Sequence, residues 1–326
     1  MDLVESYRQD LRFAPGRVTR VLLGATVLLA AVLPLAGPPA WTVRGILIAI
    51  TAIGVLGQNL LIGYAGQISF GQVGFLAIGA YSFAHLMAAG TPWPLAMVAG
   101  GLAAAAAGVV VGFPSLRLKG PYLAIATLGF GIAVYQILAN VAAISGGRTG
   151  MSIPALTAPF GLPRTSWMYC VALGLLLLFA VATANLVSSY AGRALMAVRD
   201  SEIAAESMGV NLTSTKLLAF ALSSFYTGVH GALFAQFLGH LEPELFNLNE
   251  VLIQFVAITV GGLASVEGSI LGSAFVILVP ALFGSARWAV PVFFGAAILG
   301  VLIFEPGGLA GRLRKARLYL ERWPFK

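Results

Sequence analysis

Glycines and amide side chains recur at short spacing in residues 58–81, QNLLIGYAGQISFGQVGFLAIGAY. The stretch is apolar enough for a membrane, where glycine lets another backbone approach closely and a buried amide needs a partner or a wet cavity. The stretch therefore predicts close helix packing or the lining of a solute path, and both interpretations stay open for each residue. The residues concerned are Gly66, Gln67, Ser69, Gly71, Gln72 and Gly74.

The histidines and the cysteine form no catalytic or metal-binding pattern. His85, His230 and His240 are far apart in the sequence, and Cys170 is the only cysteine. His230 stands in an apolar run, which fits a polar residue of the path as well as a helix contact. No GxxxxGK[ST] motif is present, so any ATP must bind to another chain. We therefore predict a transport subunit and not an enzyme, with no cofactor or metal of its own.

The composition predicts a polytopic membrane protein. Hydrophobic residues make up 59% of the chain and charged residues 10%, and the mean hydropathy is +0.92. Residues 45–116 hold no charged side chain, although about 20 residues suffice for one span. Uncharged runs and turn residues predict ten spans, at 21–36, 45–62, 68–89, 94–113, 121–143, 166–187, 216–238, 248–263, 268–284 and 287–304.

The positive charges predict the orientation. With a cytoplasmic N-terminus, fifteen of the nineteen Lys and Arg residues fall on the cytoplasmic side, as the positive-inside rule requires. Both termini are then cytoplasmic, with a tail at 1–20, a transmembrane domain at 21–304 and a basic tail at 305–326. The net charge of +7 does not indicate nucleic-acid binding, because the basic residues lie between apolar spans. We expect the apolar spans to be surrounded by a lipid bilayer.

Two predicted loops are long enough for structure of their own. The outer loop at 144–165 is rich in Gly, Pro and Thr, and forms a short surface helix or a turn-rich connector. In the inner loop at 188–215, residues 193–208 predict one short amphipathic helix, with Gly209 where a helix would stop. Such a helix is an ordinary solvated loop helix, or a rigid protrusion that receives force from a soluble motor.

Several sequence blocks resemble the branched-chain amino acid ABC importer permeases, and most closely the M-type Liv permeases. The resemblance covers roughly residues 45–313 in the family's order. The blocks are NLLIGYAGQISFGQVGFLAIGAY (59–81), LRLKGPYLAIATLGFG (116–131), GRALMAVRDSEIAAESMGVN (192–211), KLLAFALSSFYTGVHGALFA (216–235), ITVGGLASVEGSILGSAF (258–275) and FEPGGLAGRL (304–313).

The resemblance implies an all-α permease fold of the vitamin B12 importer type, with about ten transmembrane helices. It also implies a second, H-type permease, two cytoplasmic ATPases that hold ATP and Mg²⁺, and an extracellular or periplasmic solute-binding protein. The loop at 188–215 would couple the chain to the ATPases. The residues assigned to this coupling are Arg193, Arg199, Glu202, Ala204, Ala205 and Gly209.

The chain departs from the family pattern at two positions. In the EAA-loop pattern a glutamate directly precedes the two alanines, but here Ile203 takes that place and Glu202 lies one residue earlier. Whether Glu202 has the role of that glutamate stays open. Gln72 replaces a histidine that many relatives carry, which keeps hydrogen bonding but removes titration near neutral pH.

The sequence thus predicts a permease subunit in a bacterial inner membrane, part of an ATP-driven importer of branched-chain or related amino acids. A related importer of urea or short amides is the first alternative. A stand-alone carrier is the second, and it is disfavoured because no Asp or Glu lies in the middle of a predicted span: Glu250 and Glu267 stand at span ends and Glu305 follows the last span. The predicted topology places Gly63–Gln67 at a cytoplasmic turn, so Gln67 and Gln72 would contact solute, if at all, at the inner gate or exit.

Overall fold

The computed structural model describes residues 38–118, 120–156, 161, 163–283, 288–305 and 307–322. The predicted N-terminal tail at 1–20, the predicted span at 21–36 and the last four residues of the basic tail lie outside these ranges. The helices are α1 Pro39–Asn59, α2 Gln72–Ala88, α3 Trp93–Ser115, α4 Pro121–Asn140, α5 Ala142–Ser145, α6 Arg164–Ser188, α7 Tyr190–Asp200, α8 Glu202–Ser207, α9 Leu212–Leu238, α10 Leu248–Gly261, α11 Val266–Phe283, α12 Ala289–Phe304 and α13 Gly308–Arg322.

The described part of the chain is an all-α, multi-pass membrane protein. Every predicted span from 45–62 onward coincides with a helix. Six helices are long and apolar enough to cross a membrane, and a seventh candidate combines α12 with residues 308–316 across a 50° bend. The apolar helices α2 and α10 are shorter. With 14 residues, α10 is about 21 Å long, less than the roughly 30 Å of a bilayer core.

Proline and glycine mark several helix ends. Prolines occupy the first turn of α1, α3 and α4. Proline lacks a backbone N–H, and at this position an N–H would have no hydrogen-bond partner within the helix. Gly239 follows α9 in the left-handed conformation, with φ of 74°, which costs glycine little. The starts of α1, α3 and α4 and the end of α9 therefore lie at proline or glycine residues of the sequence.

Two helices form the centre of the molecule. The most apolar window of the α1 span is 83% buried and that of α9 is 67% buried, against 28% for α4 and for α6. Helix α9 packs against α1, α2 and α3. Glycines allow these contacts, since a Cβ on Gly79 would overlap the backbone of Gly228, and one on Gly228 would lie 2.5 Å from the Cβ of Ala104.

The predicted outer loop at 144–165 begins at the end of a short helix, and its residues 157–160 and 162 lie outside the described ranges. Helix α5 and a 3₁₀ turn at Gly147–Thr149 lead into strand β1, Met151–Ser152. This strand pairs antiparallel with β2, His240–Leu241, which follows α9. His85 Nε2 donates to the carbonyl oxygen of Ile144 at 2.7 Å, so the end of α2 is tied to the same region.

Helix α1 continues into a π-helical turn, Leu60–Tyr64, and Asn59 joins this end of α1 to α11. The Nδ2 of Asn59 donates to Ser265 O and Ser269 Oγ, each at 2.9 Å. Its Oδ1 accepts the N–H of Ala264 at 2.8 Å. With 1% of its surface exposed, Asn59 holds the start of α11 in place.

We expect Asn59→Leu to lower the free energy of unfolding by about 2 kcal/mol, because three bonds at roughly 0.6 kcal/mol each are lost. The matched control is Gln58→Leu, since the neighbouring amide is fully buried and both of its polar atoms lack a hydrogen bond. That substitution is expected to be neutral or stabilising. Thermal unfolding of the purified chain in detergent measures both, and equal losses would contradict the role given to Asn59.

Candidate functional site

The predicted coupling helix is in fact two helices, α7 and α8, and the prediction of one continuous helix over 193–208 is wrong. Ser201 breaks it with an extended backbone, φ −163° and ψ 115°, and its hydroxyl accepts the N–H of Ala204 at 3.3 Å. Serine is a strong N-cap residue, so the signal for the break was present in the sequence. Gly209 ends the segment as predicted, with φ of 84°. We call residues 190–209 the α7–α8 segment.

Arg199 attaches the α7–α8 segment to the end of α1. Its Nη1 donates to the carbonyl oxygen of Gly63 at 3.0 Å, and its Nε lies 3.1 Å from Asp200 Oδ1. A Cβ on Gly66 would lie 2.7 Å from Arg199 Cγ. Helix α7 therefore rests directly on the connection between α1 and α2, and a side chain at Gly66 would disturb this contact.

Glu202 attaches the segment to α9. Its Oε1 lies 2.6 Å from Lys216 Nζ, and the two side chains are 27% and 5% exposed, respectively. A buried ammonium requires such a partner, because an unpaired charge away from water is costly. Glu202 thus makes an intramolecular contact in this structure.

The remaining predicted coupling residues divide between two faces. Ala204, Arg193 and Gly209 are exposed, whereas Ala205 is 4% exposed and faces the chain's own interior. Ala205 is therefore not available for docking in this structure. The sequence interpretation also missed two exposed apolar residues, Ile203 at 82% and Met208 at 84%, whose only sequence signal is their apolar character among polar neighbours.

Gln72 holds α2 against α9. Its Nε2 donates to Ser223 Oγ at 2.8 Å, and its Oε1 accepts the hydroxyl of Thr227 at 2.6 Å. The residue has no exposed surface, so its amide is committed to helix packing. These two hydrogen bonds join α2 to α9.

Several residues of the α1–α2 connection are also buried, although Gly66 and Ile68 are exposed. We use this name for residues 65–71. Ser69 is fully buried, and its hydroxyl accepts the N–H of Gly71 at 3.3 Å. Gly71 and Gly74 face α4, since their Cβ atoms would lie 3.1 Å from Thr127 O and 2.6 Å from Phe130 Cε1. Gln67 is 6% exposed, and its Oε1 has no hydrogen-bond partner.

His230 lies at the centre of the molecule, where α9 meets α1. It is 2% exposed and packs against Gly54, and its Nδ1 has no hydrogen-bond partner. Among the described residues, no group of His, Cys, Asp or Glu is arranged to hold a metal ion. His240 belongs instead to the strand pair β1–β2, with its Nδ1 3.3 Å from Ser152 Oγ.

An apolar helical bundle with several candidate membrane spans is the architecture of a multi-pass membrane protein. The chain belongs to the branched-chain amino acid transport system permease component family, whose model matches residues 40–304.

The chain is also similar in sequence to individual transport proteins. The chain is 36% identical over 285 residues to the high-affinity branched-chain amino acid transport system permease protein LivM of Salmonella typhimurium, covering 78% of this chain and 66% of LivM. It is 35% identical to LivM of Escherichia coli over 283 residues, with the same coverage. It is also 25% identical to LivH of Escherichia coli over 287 residues, covering 80% of this chain and 91% of LivH. The matches to LivM thus span slightly less than two thirds of its length. No solved structure gives a significant match.

Proposed function

We propose that the chain is one permease subunit of an ATP-driven importer for branched-chain or related amino acids in the bacterial inner membrane. The observation that carries this proposal is the family match over 40–304 together with 36% identity to LivM. A second permease of the H type would stand beside this one, in keeping with the similarity of this chain to LivM. The proposed complete fold has ten spans, of the vitamin B12 importer type, with both termini cytoplasmic.

Two ATPase subunits on the cytoplasmic side would hold ATP and Mg²⁺, and a solute-binding protein would deliver the solute from outside. We propose that the ATPases contact the exposed face of the α7–α8 segment. Supporting this, the segment is fixed to α1 through Arg199 and to α9 through Glu202, the two most buried candidate spans. A displacement of the segment would therefore act on the centre of the permease.

The test measures solute uptake into proteoliposomes that hold the purified chain, either alone or together with its proposed partner subunits. We expect ATP-driven leucine uptake only when the second permease, the ATPases and the binding protein are all present. Uptake by this chain alone, without ATP, would instead identify a stand-alone carrier. Uptake of urea or short amides in preference to leucine would identify the related importer class.

A further inference from the structure

Two distant parts of the chain meet at Gly63, in the π-helical turn that ends α1. Its carbonyl oxygen accepts a hydrogen bond from Arg199 Nη1, which belongs to α7. In addition, a Cβ built on Gly63 would lie 2.5 Å from the backbone nitrogen of Ala264 and would overlap Asn59 Oδ1. We call residues 262–265, which join α10 to α11, the α10–α11 connection. The α7–α8 segment and the α10–α11 connection therefore contact the same glycine.

The contact at Gly63 is backbone against backbone on the side of Ala264. An overlap with a backbone atom is relieved only when the whole connection moves, so the short distance requires a residue without a Cβ. The π-helical turn itself is an uncommon element, and such turns inside α-helical segments are frequent at functional sites. The end of α1 is therefore shaped to hold the α10–α11 connection close to α7.

The α10–α11 connection contains a strained residue. Within the described part of the chain, Ala264 is the one residue other than glycine with a positive φ, at 54°. The left-handed conformation is unfavourable for a residue with a Cβ, and it persists only where the surroundings impose it. Asn59 imposes it here, because its Oδ1 accepts the N–H of Ala264 at 2.8 Å and its Nδ2 donates to Ser265 O at 2.9 Å.

The support of Ala264 and the contact of α7 depend on the same short stretch of α1. Asn59 and Gly63 are four residues apart, so they lie about one helical turn from each other. A displacement of Arg199 would shift the Gly63 carbonyl group and the turn around it. That shift would alter the hydrogen bonds of Asn59 and, through them, the conformation of Ala264.

We propose that Gly63 and Ala264 are positioning residues that pass a displacement of the α7–α8 segment to the α10–α11 connection. The inference rests on the proposed function, since the ATPases would supply the displacement. It adds a second destination for that displacement: the contacts of Arg199 and Glu202 act on α1 and α9, whereas this contact also acts on α10 and α11. Ala264 leaves its strained conformation when the turn shifts, which gives the connection two discrete arrangements.

The first test places a thiol beside Ala264. In a Cys170→Ser chain, which has no other cysteine, Leu263→Cys introduces a thiol at a position that is 47% exposed. We expect its rate of labelling in the assembled importer to change about fivefold between the nucleotide-free state and the state trapped with ATP and vanadate. Arg199→Ala should reduce this change to below about twofold, because the contact with Gly63 is lost.

Arg164→Ala is the matched control for Arg199→Ala. Arg164 Nη2 also donates to a backbone carbonyl oxygen of another helix, that of Gln236 at 3.3 Å. This bond joins α6 to the end of α9, whereas Lys216, which contacts the α7–α8 segment, lies at the beginning of α9. The Arg164→Ala chain should therefore retain the full change in labelling rate.

Ala264→Gly separates positioning from folding. Glycine adopts the left-handed conformation without the steric cost, so the thermal midpoint of the purified chain should be at least as high as that of the unsubstituted chain. The connection also gains other conformations, which would absorb the displacement. We therefore expect the number of ATP molecules hydrolysed for each leucine taken up to rise about threefold. An unchanged ratio would contradict the role of Ala264, also if Arg199→Ala yields no folded chain.

ATP-driven leucine uptake is measured in the same preparations. A labelling rate at residue 263 that does not respond to ATP, or that responds equally in the Arg199→Ala chain, would overturn the inference alone when uptake is present. Absence of ATP-driven uptake by the unsubstituted importer would instead count against the proposed function, and the inference would fail with it.

Discussion

Gly79→Val is expected to prevent correct packing of the permease, at a cost of about 3 kcal/mol or more, the upper part of the range for overpacked cores. A Cβ at this position would overlap the Cα, carbonyl carbon and oxygen of Gly228 on α9. Backbone atoms cannot move aside as a flexible side chain can, so the two helices would have to separate. Helix α3 is close as well, because a Cβ on Gly100 would lie 2.7 Å from Gly79 O.

The measurement is the yield and thermal midpoint of monodisperse protein after extraction in detergent. Gly174→Val is the matched control, since this glycine of α6 has no atom within 4 Å of its built Cβ and should tolerate the same substitution. Equal behaviour of the two variants would contradict the close approach of α2 and α9.

Ala204→Arg is expected to abolish ATP-driven uptake while leaving the folded chain intact. Ala204 is exposed on α8, where a large charged side chain would obstruct the proposed ATPase contact. Loss of a central interface contact costs about 2 kcal/mol or more, which corresponds to roughly 30-fold weaker association. Co-purification with the ATPases and uptake in proteoliposomes would measure the effect.

Two further variants separate docking from folding. Ala204→Ser keeps a small side chain and should retain uptake. Ala205→Arg should reduce the amount of folded chain, because Ala205 is 4% exposed and a buried, unpaired charge is costly. Full uptake by Ala204→Arg would refute the docking face, and a well-folded Ala205→Arg chain would contradict the inward orientation of Ala205.

The positions of the described apolar helices could be predicted because lipid imposes a simple requirement on the sequence. A span must be long, apolar and free of charge, so uncharged runs located α1 and each apolar helix after it. The predicted start of α2 was less accurate, because the prediction placed it at residue 68 and the helix begins at Gln72. The intervening residues are apolar enough for a span, but their backbone groups bond to other parts of the chain, as Phe70 N does to Thr127 Oγ1 at 3.0 Å.

The site was harder to predict because its contacts join distant parts of the chain. Nothing near Gln72 in the sequence indicates that Ser223 and Thr227 will bind its amide. Likewise, Ala204 and Ala205 are identical residues, and only the break at Ser201 and the packing of α8 place them on different faces. Composition and spacing located the apolar helices, whereas the orientation of each side chain required the three-dimensional structure.

The contact between Asn59 and α11 has a consequence for how the protein is made. Asn59 and Ser265 are 206 residues apart in the sequence. At roughly 5–20 residues per second, a ribosome needs on the order of 10–40 s to reach the partner after it has made Asn59. During that interval the amide lies in a nascent membrane segment without its final hydrogen bonds. The hydrogen bonds that join this end of α1 to α11 can therefore form only after α11 has been made.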